Sequence, residues 1–280
     1  MKFLLTAINA KFIHSNPAIY SLRAGVGEKL QPYVELAEFT INESLESILE
    51  GIWKRQPKVI GFSCYIWNWK LIREILTELP KILPDTEIWL GGPEVTYDGP
   101  GLLSEFPQVT GIMVGEGEVT FREVLDHYVR EAESTGQSEQ QPEPDSIEQQ
   151  AADRTGTVAG KSVAERFGQI SGLCLASGYT EPRELTDLTT LPFLYEDMEP
   201  FTNRIIYYET SRGCPYRCSY CLSSIDKKVR LRDIDVVKRE LQFFLDQNVK
   251  QVKFIDRTFN CDHKHAMEIW RYIYEHDNGV

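Results

Sequence analysis

Three cysteines, Cys214, Cys218 and Cys221, are spaced CxxxCxxC inside the short stretch from Glu209 to Cys221. Three thiolates in one loop can hold three irons of a 4Fe–4S cluster and leave the fourth iron without a protein ligand. A metal with an open position is a place for chemistry, as an open zinc site is. Gly213 and Pro215 flank the first cysteine, which suits a loop that curls round a cluster. Cys261, His263 and His265 lie downstream, so a closed zinc site stays as a rival. Zinc patterns usually pair two CxxC-like units, and only one is present.

The spacing, with the aromatic Tyr220 before the last cysteine, resembles the radical S-adenosylmethionine (radical SAM) superfamily. The resemblance implies that Cys214, Cys218 and Cys221 ligate the 4Fe–4S cluster. It implies that the amino and carboxylate groups of SAM chelate the fourth iron, with Tyr220 beside the adenine. It further implies reductive cleavage of SAM to methionine and a 5′-deoxyadenosyl radical, fed by an electron donor such as flavodoxin or ferredoxin.

The elements that must position this loop follow the pattern of a (β/α) barrel. Arg204–Thr210 reads as a strand, and the loop leaves its carboxyl end, where barrel active sites sit. Val229–Asp246 reads as a helix with Val236, Val237, Leu241, Phe244 and Leu245 on its buried face. Gln251–Asp256 reads as a second strand. By the resemblance, its end at Asp256 approaches the SAM amino group; an aspartate there is also an ordinary helix cap. Cys261, His263 and His265 fall at the start of a helix through Ile273, as surface positions. Residues 204–280 therefore read as the first units of a partial barrel, an incomplete radical SAM core, and the sequence as truncated.

The first 132 residues alternate strands and helices. Strands are expected at Phe3–Ile8, Val34–Phe39, Lys58–Cys64, Thr86–Leu90 and Val109–Val114. Helices are expected from Pro17, from a cap at Ser44 or Asn42, from a cap at Asn68, around Leu102–Phe106, and over Val119–Ala132. Asn9–Pro17 reads as a polar loop. This alternation predicts a doubly wound parallel sheet of flavodoxin type, which binds ligands outside the carboxyl ends of its strands. The informative residues sit there: Asn9, Ser63, Gly91-Gly92-Pro93-Glu94 and Gly115-Glu116-Gly117-Glu118. Together they resemble the cobalamin-binding domain that precedes many radical SAM cores. The resemblance implies that Ser63, Gly91, Gly92, Pro93, Glu94, Gly115, Glu116 and Gly117 line the corrin and its nucleotide tail. The DxHxxG loop that supplies a cobalt-ligating histidine in one branch is not matched at His14, so no histidine ligand is expected from that loop.

Between the domains, Glu131–Thr155 carries seven acidic residues and one basic, with few apolar side chains. Such a segment cannot bury enough surface to offset its chain entropy, and 133–168 reads as a disordered linker or insertion. Residues 169–203 read as a hairpin and crossover. The net charge of −12 argues against a partner recognised through nucleic-acid phosphates. No apolar run approaches the roughly 20 residues of a membrane span. The N-terminus is too short for a signal peptide, and the cysteines do not form a disulfide framework, so a reducing cytoplasm is expected. Two further readings remain at this level. A methylthiotransferase would need a second cluster, yet Cys64 is the one cysteine of the first domain. A non-catalytic metal- or cobalamin-binding protein would close a zinc site through Cys261 or His263.

Overall fold

The computed structural model describes residues 1–136, 161–225, 228–277 and 279. They group into two compact units, Met1–Lys11 with Ala18–Leu185, and Phe12–Pro17 with Thr186–Val280.

In the first unit, β1 (Phe3–Asn9), β2 (Val34–Thr40), β3 (Val59–Ser63), β4 (Glu87–Gly91) and β5 (Val109–Met113) run parallel in the order β2-β1-β3-β4-β5. The helices between and after them are α1 (Pro17–Gly25), α2 (Leu45–Trp53), α3 (Trp69–Ile82), α4 (Gly99–Glu105) and α5 (Gly117–Gly136). Alternation along the strands decides which residues meet which helices. Leu4, Ile8, Ile60, Phe62 and Leu90 pack with Ile48 and Ile52 of α2 and Ile72, Ile75, Leu76 and Leu79 of α3. Phe3, Leu5, Ala7 and Trp89 pack on the other face with Ile19 of α1 and Phe121, Val124 and Leu125 of α5. Ser44 caps α2 as expected, accepting from the Ser47 N–H at 3.2 Å.

Asn68 precedes α3, but its side chain does not cap the helix. It is fully buried and donates to the carbonyls of Ile8, at 3.1 Å, and Ser63, at 2.9 Å, while accepting from the Tyr65 N–H. It thereby ties the carboxyl ends of β1 and β3 together at the point where the strand order reverses, the crevice in which such sheets bind ligands.

The expected hairpin is present as β6 (Leu173–Leu175) and β7 (Gly178–Tyr179), and it belongs to this sheet. β6 pairs antiparallel with β5, and β7 with β6, giving seven strands. The free edge of β5 is thus covered rather than left open. Helical segments enter the stretch read as a linker, 133–168, from both sides. The α5 helix continues to Gly136, and α6 (Val163–Phe167) is closed by a capping box between Ser162 and Glu165. Residues 137–160 lie outside the described residues.

Arg166 of α6 is almost fully buried. It donates to Glu87 at 3.0 and 3.1 Å and to Glu131 at 2.7 and 3.0 Å, while the Tyr128 hydroxyl donates to Glu87 at 2.7 Å. Removing one partner of such a cluster strands buried charge. Arg166→Ala is therefore expected to destabilise the first unit by about 3–5 kcal/mol in chemical denaturation. Burial pushes the Glu131 carboxyl up, but hydrogen bonding and charge from Arg166, with help from His127, hold it below the usual range. A depressed carboxylate contributes stability at neutral pH that is lost as pH falls through its folded pKa. The variant should accordingly lose less stability on acidification than the parent.

In the second unit, β8 (Ile206–Tyr208) and β11 (Val252–Phe254) form a parallel pair. The helices α7 (Ile234–Asp246) and α8 (His263–Glu275) cover one face of it. Tyr208 meets Phe244 of α7 and Phe254 meets Trp270 of α8, with ring centroids 5.4 and 6.3 Å apart. The helix expected from Val229 starts only at Ile234. Asp233 accepts from the N–H groups of Asp235 and Val236 and fixes that start. The residues before it, Arg230–Leu231, are β10, paired antiparallel with β9 (Ser211–Arg212). Among the described residues, no helix is long and apolar enough to cross a membrane.

Candidate functional site

The cysteine loop is the tip of a two-stranded stem. β9 and β10 form its legs, and the Arg232 N–H closes onto the Thr210 carbonyl at 2.9 Å. Below the stem, Arg232 lies in a bidentate pair with Glu240 at 2.6 and 2.7 Å, and the Tyr208 hydroxyl donates to the same carboxylate. Burial and the Glu240 charge push the Tyr208 hydroxyl pKa up, so it remains a donor.

Asp256, just after β11, accepts from the Thr210 N–H at 3.2 Å, the Thr210 hydroxyl at 2.6 Å and the Ser211 hydroxyl at 2.5 Å. Thr210 and Ser211 are themselves buried. The carboxylate therefore anchors the leg of the stem three residues before Cys214. Gly213 follows at φ 91°, a left-handed conformation that favours glycine and turns the chain into the loop.

Cys214 is buried, with its sulfur 3.3 Å from the Thr258 hydroxyl. Cys218 is exposed and Cys221 half-buried; the Cys221 N–H donates to the Cys218 carbonyl at 3.1 Å. Tyr220 is 91% exposed. Among the described residues, no three His, Cys, Asp or Glu side chains converge to hold a metal. The donor set nonetheless fits a cluster: three free thiols in one loop on an anchored stem. His263 is exposed, whereas His265, expected at the surface, is buried. Burial pushes the His265 imidazole pKa down, and its Nε2 has no hydrogen-bond partner among the described residues.

In the first unit, the topology brings the expected strand ends to one edge of the sheet. Asn9, Ser63, Gly91 and Met113 lie at or next to the carboxyl ends of neighbouring strands, and Gly91-Gly92-Pro93-Glu94 and Gly115-Glu116-Gly117 continue from there. Gly92 has φ 109°, and a Cβ on it would lie 2.5 Å from the Cys64 carbonyl oxygen. The Gly92 carbonyl in turn accepts from the Thr96 hydroxyl at 2.8 Å. Pro93 is exposed, while Ser63, Glu94 and Glu116 are half-buried. Cys64 is fully buried, and desolvation pushes its thiol pKa well up, which makes it a packing residue rather than a thiolate.

The same edge carries residues that the motif reading passed over. Tyr65 and Trp67 stack with centroids 4.4 Å apart and planes 8° apart, and Ile66 between them is 81% exposed. The available signal was three large apolar residues directly after a buried strand. Tyr97, after β4, is also exposed.

Residues 4–125 match the B12 binding domain family, and they cover the five parallel strands of the first unit. The cysteine stem follows this match in the sequence, and the similarity to known proteins runs through both. It is 28% identical over 228 residues to 2-(S-pantetheinyl)-carbapenam-3-carboxylate methyltransferase of Streptantibioticus cattleyicolor, covering 78% of this chain and 29% of that one. It is 28% identical over 215 residues to the cobalamin-dependent radical SAM methyltransferase TokK of Streptomyces tokunonensis, covering 73% and 28%. The solved structure of OxsB, a cobalamin-dependent SAM radical enzyme with aqua-cobalamin and SAM bound, shares the fold. Its TM-score is 0.69 at 16% identity, over 99% of this chain and 38% of OxsB. The chain spans less than a third of the length of the two methyltransferases.

Proposed function

We propose that this chain is the cobalamin- and cluster-binding part of a radical SAM enzyme of methyltransferase type. The observation that carries the reading is the CxxxCxxC loop on its anchored stem, in one chain with a B12-binding domain. Cys214, Cys218 and Cys221 would hold a 4Fe–4S cluster, and SAM would take its open iron beside Tyr220. When bound, the cluster supplies one electron for the reductive cleavage of SAM, and cobalamin supplies a methyl carrier.

The protein's own contribution is to bind and orient these groups. Asp256 fixes the leg of the stem through its three hydrogen bonds from Thr210 and Ser211, and it would hold the loop where a SAM amino group approaches. In the first domain, Ser63, Gly91-Gly92-Pro93-Glu94 and Gly115-Glu116-Gly117 offer a low backbone rim for the corrin. The apolar Tyr65-Ile66-Trp67 run supplies a flat surface beside it. A low-potential flavodoxin or ferredoxin would deliver the electron, and the exposed Arg217 and Lys228 on the loop suit an acidic donor. Six free cysteines are consistent with a cytoplasmic setting.

The test uses anaerobically reconstituted protein. The reduced sample should give a 4Fe–4S paramagnetic signal whose g-values shift when SAM is added, and the protein should retain hydroxocobalamin through gel filtration. A signal indifferent to SAM would contradict the SAM site. Complete loss of cobalamin would contradict the corrin site. One zinc and no sulfide would favour the metal-binding alternative.

A further inference from the structure

We propose that His14 is a positioning residue of the cluster-bearing unit. Together with the run Ile13–Ser15, it holds the outer edge of β8, the strand that leads into the cysteine stem. The proposal rests on the cluster reading for its purpose, though not for its geometry.

β8 is three residues long, and so short a strand with one partner is marginal. β11 occupies one edge. On the other, the Ile205 N–H donates to the Ile13 carbonyl at 2.9 Å, and His14 and Ile205 form a parallel bridge. The Ser15 hydroxyl donates to the Ile205 carbonyl at 3.3 Å, and the Arg204 guanidinium lies 5.1 Å over the Phe12 ring. Residues 12–17, in sequence the loop between β1 and α1, thus belong to the second unit as an added edge segment. They satisfy backbone groups that would otherwise be an unpaired strand edge.

The side chains reinforce this pairing. Tyr208 and Phe254 take the face covered by α7 and α8, so the neighbouring Tyr207 projects from the opposite face. There the Tyr207 ring stacks on His14, centroids 5.9 Å apart and planes 27° apart, and its hydroxyl makes a short hydrogen bond to His14 Nδ1. The Tyr195 hydroxyl donates to the Tyr207 carbonyl. From Ile205 through Tyr207 to the Asp256-bound Thr210 and Ser211, the chain is fixed at nearly every step up to Gly213.

The experiment compares the full chain with His14→Ala, His14→Asn and Tyr207→Phe by amide hydrogen exchange, with and without the reconstituted cluster. An asparagine amide reaches the place of Nδ1 and can hydrogen-bond to the tyrosine either way round. Exchange over Ile205–Tyr208 should be about tenfold faster in His14→Ala and faster in Tyr207→Phe, while His14→Asn stays near the parent and β3 and β4 are unchanged. The reduced cluster signal should broaden in His14→Ala and recover in His14→Asn. Parent-like exchange in both His14→Ala and Tyr207→Phe would overturn the proposal, as would His14→Asn exchanging as fast as His14→Ala. If the parent holds no cluster, the functional reading fails while the exchange comparison still decides whether His14 holds the edge of β8.

Discussion

Asp256→Ala is expected to destabilise the second unit by about 3 kcal/mol and to strip iron from the reconstituted loop. The carboxylate accepts three hydrogen bonds, and both donor residues, Thr210 and Ser211, are buried. Removing it leaves the Thr210 N–H and both hydroxyls without their acceptor, at roughly 1–3 kcal/mol for each buried donor that finds no substitute. Water that enters the vacated space returns part of this, hence the lower total. Asp256→Asn keeps one acceptor oxygen, and its amide can donate to a hydroxyl, so its loss should be about 1 kcal/mol. Iron retention should follow the same order: parent, then Asn, then Ala. If Asp256 acted only on SAM, both variants would keep their iron and lose only the response to SAM. Denaturant titration and iron analysis on the same three proteins separate the two roles.

Gly92→Ala is expected to cost the first unit about 3 kcal/mol and to weaken the cobalamin retention proposed for it, while Gly91→Ala costs under about 1 kcal/mol. The two glycines are neighbours with different surroundings. At Gly92 the backbone is left-handed and the added Cβ would meet the Cys64 carbonyl at 2.5 Å, a contact with main chain that cannot swing away. At Gly91 the added Cβ would meet Met113 Cβ at 3.7 Å, an ordinary contact. The Cys64 N–H donates to the Gly91 carbonyl at 2.7 Å, so pushing the two loops apart also strains the β3–β4 edge. Thermal unfolding of the pair, followed by gel filtration with hydroxocobalamin, checks both the stability and the site. Equal unfolding temperatures would show that the loop relaxes without cost.

Much of the architecture is legible because its signals are local. Ile48 and Ile52, or Ile72, Ile75, Leu76 and Leu79, announce their helices by spacing, and the buried runs of β3 and β5 announce strands by apolarity. The cysteine motif is legible because a cluster needs three thiols within one loop, which fixes the spacing in sequence.

What escaped the reading depends on partners far along the chain. β9 and β10 are two residues each, too short to carry a period, and they exist because they pair with each other. Asn68 has the residue type of a helix cap but is drawn to the Ile8 and Ser63 carbonyls. The capping box of α6 was present at Ser162 and Glu165, hidden by the acidic, glutamine-rich stretch before it, and the buried position of Arg166 follows from Glu87 and Glu131. His14 falls in the stretch that reads as a polar loop, Asn9–Pro17. Its partner Tyr207 lies 193 residues away, and no short-range pattern joins them.

The central claim is that the loop of Cys214, Cys218 and Cys221 holds an iron–sulfur cluster, and the most direct measurement is iron and acid-labile sulfide per chain after anaerobic reconstitution. The parent should carry about four of each, with charge-transfer absorbance that disappears on reduction, and the triple Cys214→Ala, Cys218→Ala, Cys221→Ala protein should carry almost none. Equal iron and sulfide in parent and triple variant would contradict it, as would a parent that binds one zinc and no sulfide.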